Sequence, residues 1–192
     1  MKKVKKMKKE LLFILFVVLL VSACAPVQKE PTKNDSKTIV VEQEEETPII
    51  PTVIPTREET MKKNAEASGY VGKPLAGDTS FYIEFNIPDY NFALATDKLI
   101  LLNFYSTECA YCQNDNDAAI SAFDSMNYPD VVGFRVLFND PASTLEDKNI
   151  ALKYGVENLN TKIIIKGGKK VFKATDTWNK QTFIDEINRN RG

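Results

Sequence analysis

The segment that most constrains this chain is the run from Leu99 to Tyr105, apolar throughout except for Asn103 and followed closely by Cys109-Ala110-Tyr111-Cys112. A strand with one solvated face alternates apolar and polar residues, whereas one buried on both faces reads as a continuous apolar run. Leu99 to Tyr105 is therefore expected to be a central strand covered on both sides, and the neighbouring patterns supply the covers. Phe81, Ile83 and Phe85 alternate with Tyr82 and Glu84 as a strand does, and 88–95 reads as a short helix with proline in its first turn. A helix is expected from about Cys109 to Met126, with Ala118, Ala119, Ile120, Phe123 and Met126 on its apolar face. Val131 to Phe138 is a further strand, and Ser143 to Glu146 has the form of a capping box opening a helix that ends near Tyr154 and Gly155. Lys162 to Lys166 and Lys170 to Lys173 flank Gly167-Gly168 as a hairpin. The last helix starts near Asn179, with Trp178 stapled to Phe183, and buries Phe183, Ile184 and Ile187. The order βαβαβαββα over residues 78–192 defines an α/β domain, a mixed central sheet flanked by helices.

Upstream, six lysines precede an unbroken apolar run from Leu11 to Val21, the layout of a secretory signal. That run spans only ~16 Å as a helix, about half the hydrocarbon thickness of a membrane, so it is too short for a permanent anchor. Val21-Ser22-Ala23-Cys24 resembles the bacterial lipobox, in which the cysteine receives a diacylglycerol thioether and becomes the new N-terminus. Residues 1–23 are thus expected to be a lipoprotein signal and Cys24 the lipidation site, placing the protein outside the cytoplasm on a bacterial membrane. Residues 24–77 are expected to be a lipid-anchored, disordered tether, because Pro, Thr, Glu and Lys dominate from Ala25 to about Thr60. Within it a short solvated helix is expected at Arg57 to Ala67, stopped by Ser68-Gly69.

Charge and residue usage exclude several functions. The full chain has 25 basic and 26 acidic residues, and removal of residues 1–23 leaves 19 against 25, so nucleic acid is not an expected partner. With no histidine, every Ser-His-Asp or Cys-His triad and every His-ligated metal site is absent. The three cysteines are Cys24, Cys109 and Cys112, so a metal at the last two lacks further Cys or His ligands, and neither metal nor cofactor is expected. Cys109 and Cys112 instead lie where a buried strand gives way to a helix, where free N–H groups and the helix dipole favour a thiolate. Two intervening residues on a helical turn let the sulfurs reach bonding distance, so the pair can alternate between dithiol and disulfide. A stabilising disulfide is the other reading, although so short a loop restricts the unfolded chain little.

This element order, with CxxC after the second strand, resembles the thioredoxin superfamily, most of all its tethered extracytoplasmic thiol-disulfide oxidoreductases. The resemblance spans the folded domain and is carried best by Leu99 to Cys112 and Tyr154 to Val171. It implies a thioredoxin-like fold in which Cys109 attacks and Cys112 resolves, with Tyr111, Asn160 and Thr161 lining the substrate groove. The family's buried aspartate six residues before the first cysteine is here Asn103, an amide unable to accept a proton from Cys112. Its cis-proline is here Asn160, in Gly155-Val156-Glu157-Asn158-Leu159-Asn160-Thr161. Because a cis bond before a non-proline residue costs about 2.5–4 kcal/mol, a trans or rearranged loop is expected. Glu108 adjoins the nucleophile, and Asp115 and Asp117 follow it on what reads as a solvated face. Carboxylates near Cys109 oppose thiolate formation and argue against a strong oxidant.

The expected function is thiol-disulfide exchange with protein disulfide or dithiol substrates, on the reductant or isomerase side, supplied by a membrane electron donor. The competing expectation is a non-enzymatic interaction lipoprotein that keeps the scaffold and a structural disulfide.

Overall fold

Eleven elements make up the part of the chain described by the computed structural model, residues 54–192. The expected signal, Cys24 and the tether as far as residue 53 lie outside the described residues. The elements are α1 (Arg57–Ala67), β1 (Pro74–Ala76), β2 (Phe81–Glu84), α2 (Ile87–Ala95), β3 (Leu99–Tyr105), α3 (Ala110–Ser125), β4 (Val131–Leu137), α4 (Leu145–Lys153), β5 (Lys162–Lys166), β6 (Lys169–Ala174) and α5 (Lys180–Arg191). From β2 to α5 this is the expected βαβαβαββα order.

The apolar run 99–105 is the interior strand β3 of a six-stranded sheet ordered β1-β2-β4-β3-β5-β6. Strands β2, β4 and β3 run parallel, whereas β5 is antiparallel to β3, β6 to β5, and β1 to β2. Three parallel strands followed by an antiparallel hairpin, with helices packed on the sheet, give a thioredoxin-like fold. Alternation along the strands divides the core between two faces. Ile100, Leu102, Phe104, Phe134, Val136, Ile163 and Ile165 form one cluster with residues of α1, α2 and α4. Leu99, Leu101, Tyr82, Val131 and Ile164 form the other, covered by Ala119, Ala122 and Phe123 of α3 and by Phe183 and Ile187 of α5. Asn103 shares the parity of Leu99 and Leu101 and therefore faces α3. At Gly133 in β4 an added Cβ would lie 2.5 Å from the Phe123 ring, so the glycine lets α3 settle on the sheet.

Most termini follow local chemistry. Asn86, Thr144 and Asn179 cap α2, α4 and α5, and Trp178 packs on Phe183 with ring centroids 5.0 Å apart. Gly167 and Gly168 both have positive φ, as a tight two-residue hairpin requires. The capping box of α4 forms between Thr144 and Asp147, one residue later than expected, because the Asp147 carboxylate also accepts from Leu137 N at the end of β4. Glu146 instead accepts from Ile87 N.

Packing begins before Asp78, where the domain was expected to start. Helix α1 is not wholly solvated: Met61 and Ala65 are buried, Tyr70 packs edge-on against Phe81 and Phe92, and β1 pairs with β2. The i,i+4 charge pattern described the outer face of α1 and left its inner one unread. Among the described residues, no helix is long and apolar enough to cross a membrane.

Candidate functional site

Between β3 and α3 the chain turns over Ser106 to Glu108, and the side chain of Asp140 holds that turn in place. Its Oδ2 accepts from Thr107 N (2.7 Å), Thr107 Oγ1 (2.6 Å) and Ser106 Oγ (3.4 Å), while Oδ1 accepts from Ala142 N (2.8 Å). The Thr107 hydroxyl, joined by these N–H groups and Ser106, holds the Asp140 carboxyl below its ordinary range against the opposing effect of burial. The turn delivers Cys109 to the N-cap of α3, where its Sγ accepts from Cys112 N at 3.2 Å. Cys109 and Cys112 are joined in a disulfide with their Cα atoms 5.2 Å apart. The sulfur pair thus sits at the helix N-terminus, as the strand-to-helix reading expected. A disulfide so placed between a strand end and a helix start is suited to thiol-disulfide chemistry.

Tyr111, 52% exposed, projects from between the two cysteines and lines an open groove of about 500 Å3 with Asn139, Glu157, Asn158, Leu159 and Thr175. Asn160 and Thr161, expected on this groove, are buried instead. Asn160 has φ 61°, in the left-handed region that asparagine tolerates and that the ring of proline excludes. The loop is therefore rearranged around asparagine, and residues 157–159 form the groove wall. Thr161 Oγ1 donates to Asn158 O at 2.7 Å, and Thr161 O accepts from Phe104 N, which ties the loop to β3. The side-chain oxygen of Asn160 has no hydrogen-bond partner.

Beneath the disulfide the core is polar. Asn103 Nδ2 donates to Tyr82 Oη at 2.9 Å, and the Tyr82 hydroxyl donates to Asn116 Oδ1 at 3.2 Å. Burial pushes the Tyr82 phenol well above its ordinary range, so this chain of groups stays neutral. Asn103 is thus a fixed donor. Glu108 and Asp117 are exposed.

Asp115 corrects the expectation of a solvated face. Asp115 and Lys162 are both fully buried and form an ion pair, and Asp115 Oδ2 also accepts from Trp178 N at 2.9 Å. Lys162 Nζ donates in addition to Asp176 O at 2.7 Å and lies over the Trp178 ring, 5.6 Å from its centroid. Burial draws Lys162 below the ordinary lysine range, and Asp115 works in the opposite direction. Sequence reasoning missed this pair, although one signal was available. Cys112, Asp115, Asn116, Ala119, Ala122 and Phe123 follow helical spacing and make up the buried side of α3.

Among the described residues, no cluster of three or more His, Cys, Asp or Glu side chains is arranged to hold a metal. Neither a protein-family model nor a curated protein matches the chain. Among solved structures it is similar to thioredoxin from Aeropyrum pernix, with 22% identity and TM-score 0.44 over 63% of this chain and 97% of that one. It is also similar to Trxlp from Edwardsiella tarda, at 18% identity and TM-score 0.46 over 54% and 95%. A third likeness is the short form of thioredoxin f from spinach chloroplast, at 19% identity and TM-score 0.46 over 58% and 92%. The fold itself is read from the strand order and register above.

Proposed function

We propose that this chain exchanges thiols and disulfides with protein substrates outside the cytoplasm, on the reductant or isomerase side, while tethered to a bacterial membrane through Cys24. The observation that carries the reading is Cys109 at the N-cap of α3, disulfide-bonded to Cys112 and accepting its N–H. After reduction the same donor and the helix N-terminus favour a thiolate at Cys109. That thiolate attacks one sulfur of a substrate disulfide, and the other substrate sulfur leaves with the electron pair. Cys112 then attacks Cys109 Sγ, re-forming the internal disulfide and releasing the second substrate thiolate. The open, polar groove beside Tyr111 suits an extended peptide. Exposed Glu108 next to the nucleophile opposes an extreme thiolate, which supports the reductant side.

Electrons must then arrive from a membrane donor, since an exported protein has no direct access to cytoplasmic reductant. The lipobox-like Val21 to Cys24 supports the anchor, and Cys24→Ser should release the protein from membranes or leave it unprocessed. Recovery of mature wild-type protein free of lipid would refute the anchor.

The deciding measurement is the reduction potential of the Cys109–Cys112 pair in glutathione buffers. A value near the thioredoxin range, about −270 mV, supports a reductant, and one near about −120 mV makes the protein an oxidant. A second reading, an interaction protein with a structural disulfide, is favoured by Cys109 being only 5% exposed. It predicts that the disulfide resists reduction by thiols while the fold is intact.

A further inference from the structure

Four aspartates are buried among the described residues: Asp89, Asp115, Asp140 and Asp147. Three of them use both carboxylate oxygens. Asp89 accepts from Val71 N, Gly72 N and Asn86 Nδ2, Asp140 clamps the turn before Cys109, and Asp147 caps α4 while accepting from Leu137 N. Only Asp115 has an idle oxygen: Oδ2 takes Lys162 and Trp178 N, while Oδ1 is buried with no partner. An unsatisfied buried acceptor is costly and calls for an explanation.

Asp115 lies three residues after Cys112 on the buried side of α3, so the two side chains are neighbours one turn apart. In the disulfide state Cys112 has no hydrogen to donate. Reduction creates two thiols: Cys109 lies at the N-cap, where Cys112 N faces its sulfur, and Cys112, 1% exposed, is the new donor on the buried side of α3 beside Asp115. The other polar groups around it are poor proton acceptors. Asn103 and Asn116 are amides, the Tyr82 phenol is neutral and Lys162 is a donor, while the carboxylates of Glu108 and Asp176 are exposed rather than in the core.

We propose that Asp115 is the proton acceptor for Cys112, with Lys162 as the positioning residue that keeps the carboxylate in the core. The assignment rests on the thiol-disulfide reading above and deepens it. In the resolving step the Cys112 proton passes to Asp115 Oδ1, and the electron pair left on Cys112 Sγ forms the bond to Cys109 Sγ. The bond from Cys109 to the substrate sulfur breaks, and its electron pair leaves on that sulfur, which takes a proton from Asp115 or solvent.

The test follows the full reduced chain against oxidised glutathione, with acid quench and mass measurement separating formation of the Cys109–glutathione adduct from its decay. The variant is Asp115→Asn with Lys162→Met, which removes both charges together so that neither is left buried alone. Formation should stay within about twofold of wild type, because Cys109 attacks without Asp115. Decay near pH 7 should slow at least about tenfold, and its rise with pH should move to higher pH. Unchanged decay, or equal slowing of both steps, would overturn the assignment while leaving the exchange activity standing. If wild-type protein never forms the adduct, the functional reading falls as well.

Should the double variant fail to fold, the reduced-minus-oxidised infrared spectrum of the wild-type chain decides. An S–H stretch lowered by hydrogen bonding to carboxylate is expected. Only unbonded S–H bands would overturn the proposal.

Discussion

The two faces of the sheet are built from the same strands but carry different chemistry. On the face toward α2 and α4, the buried residues of β3 and β4 are Ile100, Leu102, Phe104, Val132, Phe134 and Val136; the polar contacts there are the Tyr90–Tyr154 hydroxyl pair at 2.6 Å and, at the helix starts, the carboxylates of Asp89 and Asp147. On the face toward α3 and α5, equally buried positions hold Asn103, Tyr82, Asn116, Asp115 and Lys162. Burying charges and amides is expensive unless every group is paired, and apolar residues of similar volume usually serve stability as well or better. The face that pays this cost is the one under the disulfide. Polarity there reads as equipment for the sulfur chemistry, and the opposite face as the part that holds the fold.

The largest expected effects test that division directly. On the apolar face, Phe134→Ala should cost about 3–5 kcal/mol, and no second deletion should restore it, because the loss is a cavity. On the polar face, Lys162→Met should cost a similar ~3–5 kcal/mol by leaving Asp115 charged and alone. Here a second change should repair the damage: Asp115→Leu added to Lys162→Met should recover most of the stability. Urea unfolding of the oxidised proteins measures all three. If the double variant is as unstable as the single, the pair is part of the structural core and the contrast between the faces fails.

A smaller effect compares tyrosines. Tyr82→Phe removes the hydroxyl between two buried amides and should cost about 1–3 kcal/mol, since Asn103 and Asn116 each lose a partner. Tyr90→Phe, on the other face, should cost less, about 1 kcal/mol, because it strands a single buried group, the Tyr154 hydroxyl, while the exposed Lys153 ammonium can turn to water. Equal losses in urea midpoints would mean that the two polar contacts are equivalent.

These contrasts also show which parts of the molecule could be read in advance. The central strand, the hairpin at Gly167-Gly168, the Trp178–Phe183 staple and Cys109 at a helix start are consequences of local pattern, and each lies where the sequence implies. Asp115 was not legible as read, because an aspartate early in a helix is assigned by default to the solvated N-terminus. The apolar phase of α3 placed it inside, but its partner Lys162 is 47 residues away and belongs to β5, a contact that only the tertiary fold creates. The burial of α1 was missed for a related reason: Met61 and Ala65 are too few to give an apolar stripe, and their cover is remote in sequence. At Asn160 the sequence shows that proline is absent, yet the left-handed backbone that turns residues 160 and 161 inward is a property of the loop as a whole.

The smallest predicted effect lies just past the end of β4, where Asp140 belongs to neither face and fastens the turn before Cys109. Thr107 holds its carboxyl below the ordinary range, whereas in the unfolded chain the group returns to about 3.9. The folded protein therefore binds this proton less readily than the unfolded one. The resulting stabilisation is present above pH ~4, is lost as pH falls through the folded-state value, and vanishes once both states are protonated. Asp140→Asn removes it at every pH, so the gap between wild-type and variant urea midpoints should be widest between about pH 5 and 7 and close steadily below pH ~4. Asp130, held low by Arg191, titrates in the same acid range but is common to both proteins and cancels in the difference. A gap independent of pH would show that an amide serves the turn as well as a carboxylate. The clamp on Cys109 would then rest on hydrogen-bond geometry alone.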